Sequence, residues 1–306
     1  MHPGFCCRQE SRRLGNGNAR VQPVIAAEAL TGPVLHHGEG PTWFSEFNEL
    51  RCVDMLRGEV VGVDERGSIS RRAVGSVASF VRPMRGGGAV VGLESTIGAT
   101  REDPVRASPS VFSEPFETIG VRLNEAACDP SGALICGSMS DRGLPGRGEV
   151  YRIDQSGEAE LLRTGVDISN GIGFSPDGQT CYYVDSGRHA VEIIDYRNRR
   201  FNRGGAIDLS YHQGSPDGLT VDSDGNVWVA MWGGGAVLQL SPDGRLIRTI
   251  HLPVQAVTSC TFGGPDLSTL FITTSQLMLE LEDPAVAGAI FVAVPGAIGQ
   301  PAAEFG

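Results

Sequence analysis

The chain has 306 residues, a formal charge of −11 at neutral pH, 42 glycines and 18 prolines, and its 25 basic residues are all arginine. The acidic balance argues against a nucleic-acid or anionic-membrane surface, which needs clustered positive charge. The lack of lysine excludes Schiff-base, lysine-anchored pyridoxal phosphate and P-loop chemistry. The length allows one large closed domain or two ordinary ones, and a Gly- and Pro-rich chain without a long helical period favours many short strands.

Residues 1–22 read as a disordered tail, because residues 1–20 lack the apolar centre of a signal peptide, and no run of eighteen apolar residues follows anywhere. The seven cysteines are an odd number without C-x-x-C spacing, as expected of reduced core thiols in a cytoplasmic protein. The segment PVIAAEAL (23–30) precedes the first repeat and is placed to close a ring as the outer strand of its last unit.

Six turns then precede six strong strands: S-E-F-N before ELRCVDM, R-G-G-G before AVVGLES, D-P-S-G before ALICGSM, S-P-D-G before QTCYYVDS, D-S-D-G before NVWVAMW, and G-P-D-L-S before TLFITTS. Their centres lie 40, 44, 46, 47 and 42 residues apart. That period belongs to the blades of a propeller, with four strands each. A second, out-of-phase ladder supplies third strands at 58–67, 148–157, 189–198, 236–245 and 288–296. The second unit breaks this ladder, and between Ser95 and Pro115 only a weak strand near Val111–Phe112 is expected. The reading is an all-β, six-bladed β-propeller spanning 23–306 as a single domain, with a metal site in the central channel.

The repeat also points to residues. Ten or eleven positions before the first strong apolar residue of each second strand stand Glu39, Asn124, Asn170, Asp217 and Ser259, with Ser79 or Phe80 in the second unit. Equivalent positions of a propeller share one depth in the channel, so Glu39, Asn124, Asn170 and Asp217 should converge there. Asn170-Gly171 and Asp217-Gly218 taken singly read as turn formers. Two carboxylates facing one channel would repel without a cation or proton between them, and oxygen donors suit a hard divalent ion.

The motifs G-E-G-P-T-W, R-L-N-E-A-A-C-D-P-S-G, S-N-G-I-G-F-S-P-D-G, P-D-G-L-T-V-D-S-D-G-N-V-W-V-A and L-P-V-Q-A-V-T-S-C-T-F-G-G, in this order between about Leu35 and Val294, resemble the senescence marker protein, regucalcin and gluconolactonase family of six-bladed propellers. The resemblance implies a divalent metal (Ca, Zn, Mn, Mg or Fe) held by Glu39, Asn170 and Asp217, with Asp217 also as general base. It implies substrate contacts from Arg122 and Asn124 and hydrolysis of a small-molecule sugar lactone. Two departures stand out. Glu125 replaces the family's Asp after R-x-N, and Ser140-Asp141-Arg142 replaces acidic sugar-holding residues, so that Asp141 is the candidate substitute and Arg142 alters the loop's charge. GLPGRG (143–148) is expected to be a lid. The expected partners are the lactone alone, with no nucleic acid or membrane, in a monomer or weak homo-oligomer.

In the mechanism expected, the metal polarises the lactone carbonyl and Asp217 orients or deprotonates the attacking water. The competing readings are a phosphotriesterase- or paraoxonase-like hydrolase and a non-catalytic calcium-binding propeller. G-x-S-x-G and H-E-x-x-H motifs are absent. Of His36 and His37, whose side chains alternate along a strand, one at most reaches the site. Asp185 reads either as a strand-end cap or as a group behind the channel wall. Trp43 and Trp228 read as blade packing, and Trp232 is a candidate for the channel mouth.

Overall fold

A computed structural model describes residues 25–306 apart from 279, 281 and 282; the tail expected over 1–22, with Cys6 and Cys7, lies outside the described residues. Six sheets form six blades. The chain enters through β1 (Ile25–Ala26) and β2 (Glu28–Ala29). Blade one is β3 (Gly38–Phe44), β4 (Glu49–Asp54), β5 (Glu59–Val63) and β6 (Ile69–Ala73), and blade two is β7 (Phe80–Pro83), β8 (Ala89–Gly92), β9 (Ile97–Thr100) and β10 (Ser110–Ser113). Blade three is β11 (Val121–Cys128), β12 (Leu134–Ser140), β13 (Gly148–Ile153) and β14 (Ala159–Val166), and blade four is β15 (Ser169–Phe174), β16 (Thr180–Asp185), β17 (Ala190–Asp195) and β18 (Asn202–Asp208). Blade five is β19 (Ser215–Val221), β20 (Val227–Trp232), β21 (Ala236–Leu240) and β22 (Leu246–His251), and blade six holds β23 (Val257–Gly263), β24 (Thr269–Thr274) and β25 (Phe291–Ala293). Among the described residues there is no α-helix.

Burial explains the strand sequences. Second strands such as TCYYVD and VWVAMW pack between neighbouring blades on both faces, so they read as continuous apolar runs. Outer strands such as ISRRA and LIRTIH are half exposed and carry arginines on the rim. Trp43 stacks on Phe271 with centroids 5.4 Å apart, and Trp228 packs edge-on to Phe262 while its indole N–H donates to Asp222. Both are blade packing, as expected. The five described cysteines are free and buried.

Two expectations change. The second blade is complete: β10 contains the weak Val111–Phe112 strand, and Ile97–Thr100, a short I-G-A-T run without an apolar stripe, pairs beside β8. The closing segment is also divided between two blades. β2 pairs antiparallel with β25 and completes blade six, whereas β1 runs parallel beside β22 as a fifth strand of blade five. One entry segment therefore ties two blades together.

Each D-x-x-G hairpin is fastened by its first aspartate and by a left-handed glycine. Asp129 accepts from the backbone N–H groups of Ser131 and Ala133, and Asp222 from those of Asp224 and Asn226. Gly132 and Gly225 have φ of +84° and +85°, which other residues adopt at a cost. At the far end of the channel the last twelve residues cross the blades. Gln300 donates to the carbonyls of Phe174 and Val221, and the buried Phe305 packs on Phe112 at 5.6 Å.

Candidate active site

The residues singled out by the repeat converge. Glu39, Asn124, Asn170 and Asp217 lie in the first half of β3, β11, β15 and β19, and their relative exposures are 6, 6, 7 and 6%. Equal exposure is what one depth in the channel requires. All four inner strands break register there, between Glu39 and Thr42, Leu123 and Glu125, Ser169 and Ile172, and Pro216 and Leu219. A bulge of this kind re-aims a side chain out of the ladder.

Asn170-Gly171 and Asp217-Gly218 are therefore not turns. Neither glycine has a positive φ, and both lie inside a strand at its bulge. Their role is close approach of neighbouring blades: a Cβ on Gly171 would stand 2.7 Å from the Asp217 carbonyl oxygen, and one on Gly218 2.0 Å from Ser259 Oγ.

A relay of hydrogen bonds joins the ring. Asn124 Nδ2 donates to the Ser169 carbonyl at 2.8 Å, Ser79 Oγ to that of Leu123 at 2.8 Å, and Thr258 Oγ1 to that of Gly38 at 2.6 Å. Each acceptor immediately precedes the equivalent residue of the next blade. In blade six the position thus belongs to Thr258, which sits in the register break of β23, rather than to the expected Ser259. Asn170 reaches onward through Ser186, which accepts from its Nδ2 at 2.8 Å and donates to the Pro216 carbonyl at 2.7 Å. Among the described residues Glu39 and Asp217 make no such link.

Those two carboxylates carry the electrostatics. Burial first, then the charges of Asp217 and Glu125, push the Glu39 carboxyl well above its usual range, against the opposing pull of Arg122. Burial and then Glu125 push Asp217 up likewise. Asp217 Oδ1 is buried with no hydrogen-bond partner, which is costly for a carboxylate oxygen unless something else meets it. Asn170 Oδ1 faces Asn124 Nδ2 at 2.8 Å and keeps a second lone pair. Two carboxylates and an amide, one oxygen orphaned, fit a hard divalent cation; among the described residues no group of three or more His, Cys, Asp or Glu offers a softer site.

Arg122 donates to Asn124 Oδ1 at 2.6 Å and to its neighbour's carbonyl, and makes no ion pair within 4 Å among the described residues. Burial weakens its hold on its proton, and the charges of Asp141 and Glu39 offset this only in part. Asp141, whose N–H donates to the Gly120 carbonyl, is exposed at the end of β12 and begins a fully exposed Asp141–Arg147 loop. The six predicted residues thus divide into a buried ring, Arg122 beside it, and Asp141 outside.

Sequence reasoning left Ser186 and Arg82 without a place at the site and allowed at most one of His36 and His37 there; the one that reaches it is His37. His37 Nε2 stands 3.7 Å from Glu39 Oε1, its Nδ1 3.0 Å from Ser275 Oγ, and its ring is edge-on to Trp232 at 6.0 Å. Burial, aided by Arg122 and His36, drives its pKa down to about 3, so it is neutral and the contact with Glu39 is not an ion pair. The half-buried Trp232 meets the channel group through it. Asp185 is a cap that acts on the site: its carboxylate accepts from the N–H groups of Asp167 and Ile168, just before Asn170. Asp54 does the same for His36 and His37, just before Glu39.

The fold has known relatives. The family model for the SMP-30/Gluconolactonase/LRE-like region matches residues 37–276. The chain is 32% identical over 247 residues to the pentonolactonase XacC of Haloferax volcanii (78% of this chain, 81% of that one) and 30% identical over 284 residues to regucalcin of Gallus gallus (88% and 94%). The solved calcium-binding protein regucalcin of Agrobacterium tumefaciens superposes with a TM-score of 0.82 at 26% identity, covering 92% of this chain and 98% of its own. The chain belongs to the SMP-30/gluconolactonase/LRE-like family and is an enzyme of the lactonase kind.

Proposed function

We propose that the protein hydrolyses a sugar lactone to the open hydroxy acid, with a divalent cation held by Glu39, Asn170 and Asp217. The observation that carries this reading is the buried Asp217 Oδ1 without a partner, at the same depth as a second carboxylate whose charge opposes it. The pentonolactonase relative supports the lactone, and regucalcin of Agrobacterium tumefaciens, a calcium-binding protein, supports the cation. When bound, such an ion supplies Lewis-acid polarisation of the carbonyl under attack. Oxygen-only donors favour calcium, magnesium or manganese over zinc or iron.

The chain's own residues do the rest. Arg122 donates to a lactone oxygen at the channel mouth, with the guanidinium near the developing negative charge, and Asn124, whose amide protons are taken by Ser169 and Asn170, accepts from a lactone hydroxyl through Oδ1. Asp217 orients the attacking water and takes its proton as the oxygen bonds to the carbonyl carbon. The ring C–O bond then breaks, and its oxygen leaves as a hydroxyl carrying that proton. His37, neutral and tied to Ser275, holds the Glu39 side of the site without adding charge. Ser186 keeps the Asn170 amide turned with its oxygen inward.

Elemental analysis of the purified protein should find about one divalent ion per chain. In a pH-indicator assay over five- and six-membered aldonolactones, chelation should abolish turnover and added metal restore it. Asp217→Asn should keep the fold and lower turnover by roughly 10²–10⁴. Undiminished hydrolysis by the stripped protein, or by Asp217→Asn, overturns the reading.

A further inference from the structure

Blade two places no ligand in the ring, because Ser79 holds that position and its hydroxyl donates to the carbonyls of Leu93 and Leu123. Its short inner strand carries Arg82 instead, buried between the two neighbouring inner strands. Toward blade one, Nη1 donates to the Gly40 carbonyl and to Thr42 Oγ1, both at 2.9 Å. Toward blade three, Nε donates to the Ala126 carbonyl at 2.7 Å and Nη2 to Glu125 Oε1 at 2.5 Å. Glu125 Oε1 in turn accepts the Ala126 N–H at 2.8 Å.

These partners belong to the two bulges that aim site residues. Gly40 and Pro41 stand opposite the single residue Cys52 in the break that follows Glu39, and Gly40 has φ of +53°. Glu125 and Ala126 resume the ladder just after Asn124 leaves it. The guanidinium sits so close to the first bulge that a Cβ on Gly40 would lie 3.4 Å from Nη1. A cavity of about 330 Å³ beyond the ring is lined by Arg82, Glu125, Thr42 and Gln300 but by none of Glu39, Asn124, Asn170 and Asp217. The pair thus stands between the ring and the far end of the channel.

We propose that Arg82 is a positioning residue: one guanidinium locks the bulges of blades one and three, and so sets the direction in which Glu39 and Asn124 face the channel, with Glu125 as the charge that holds the fork in place. The proposal rests on the reading of Glu39 as a metal ligand and of Asn124 as a substrate contact. Arginine is required because its rigid planar fork bridges two strands, whereas a lysine ammonium is a single point charge.

The test measures metal affinity by calorimetry on the stripped full-length protein, with kcat and KM on the loaded one, for Arg82→Lys and for Arg82→Met/Glu125→Gln. The single Arg82→Met would leave Glu125 as an unpaired buried charge and lose stability on that ground alone; the double variant removes both charges, and Arg82→Lys keeps the charge without the fork. Metal binding at least tenfold weaker, with a raised KM, in whichever of the two keeps a wild-type melting temperature supports the proposal. Metal affinity within twofold of wild type, with unchanged kcat and KM, in either folded variant overturns it. A wild-type chain that binds no metal instead refutes the metal reading, and Arg82 is then judged on KM alone, where an unchanged value overturns its role.

Discussion

Asp217 and Gly218 are inseparable in this site, one by its charge and the other by what it lacks. The strand must bring Asp217 to the axis while the next blade's Ser259 passes where a side chain would begin, with Ser259 Oγ, Cβ and Cα at 2.0, 2.4 and 2.7 Å from the position of a Cβ on Gly218. Because one of those atoms is backbone, a rotamer change cannot relieve the overlap. Gly218→Ala should cost about 1–3 kcal/mol in a denaturant melt, typical of overpacking, and should lower kcat by displacing Asp217. Adding Ser259→Gly should recover part of the stability. A Gly218→Ala variant with wild-type melting and turnover would contradict this packing.

At the scale of the element, the hairpin aspartates turn short loops into rigid joints. Asp129 also reaches beyond its own turn, accepting from Tyr196 Oη at 2.8 Å and Arg152 Nε at 3.2 Å. Burial would raise its carboxyl, but the hydrogen bonds from Ser131, Tyr196 and the Ala133 backbone hold it below the usual range. A carboxyl depressed in the fold stabilises above its unfolded pKa of about 3.9, and that stabilisation disappears as pH falls through the folded value. Asp129→Asn should therefore melt lower at pH 7 and show a flatter dependence of Tm below about pH 5. The same slope in variant and wild type would exclude Asp129 as an acid-sensitive joint. Asp54 and Asp185 use the same chemistry at strand ends, and there the joint faces the site, because the N–H groups they hold belong to the residues just before Glu39 and Asn170.

At the scale of the whole molecule, the two ends of the described chain do different work. The entry segment binds blade five to blade six, and the C-terminal segment closes the far end of the channel, away from the ring. Phe305, 3% exposed against Phe112 and Met84, anchors that closure. Phe305→Ala should lower stability by on the order of 3 kcal/mol yet leave turnover at 25 °C intact, since no site residue touches it. Loss of turnover in the folded variant would show the two ends of the channel to be coupled.

Most of this architecture was legible in the chain. A period of 40–47 residues is a linear property, so the six blades, the third-strand ladder and the phase of Glu39, Asn124, Asn170 and Asp217 follow from counting. The exceptions have one physical cause. Ile97–Thr100 is a strand because its neighbours pair with it, not because its residues alternate. Thr258 rather than Ser259 joins the ring because a bulge shifts the count by one. Arg82 and Ser186 act across blade boundaries, on partners 40 to 44 and 30 residues away, through side chains that occur once and have no periodic echo. The sequence by itself determined the repeat and the residues that face the axis, because both recur. Only the tertiary structure decided how those residues are aimed and what braces them, because that depends on single contacts between blades packed side by side.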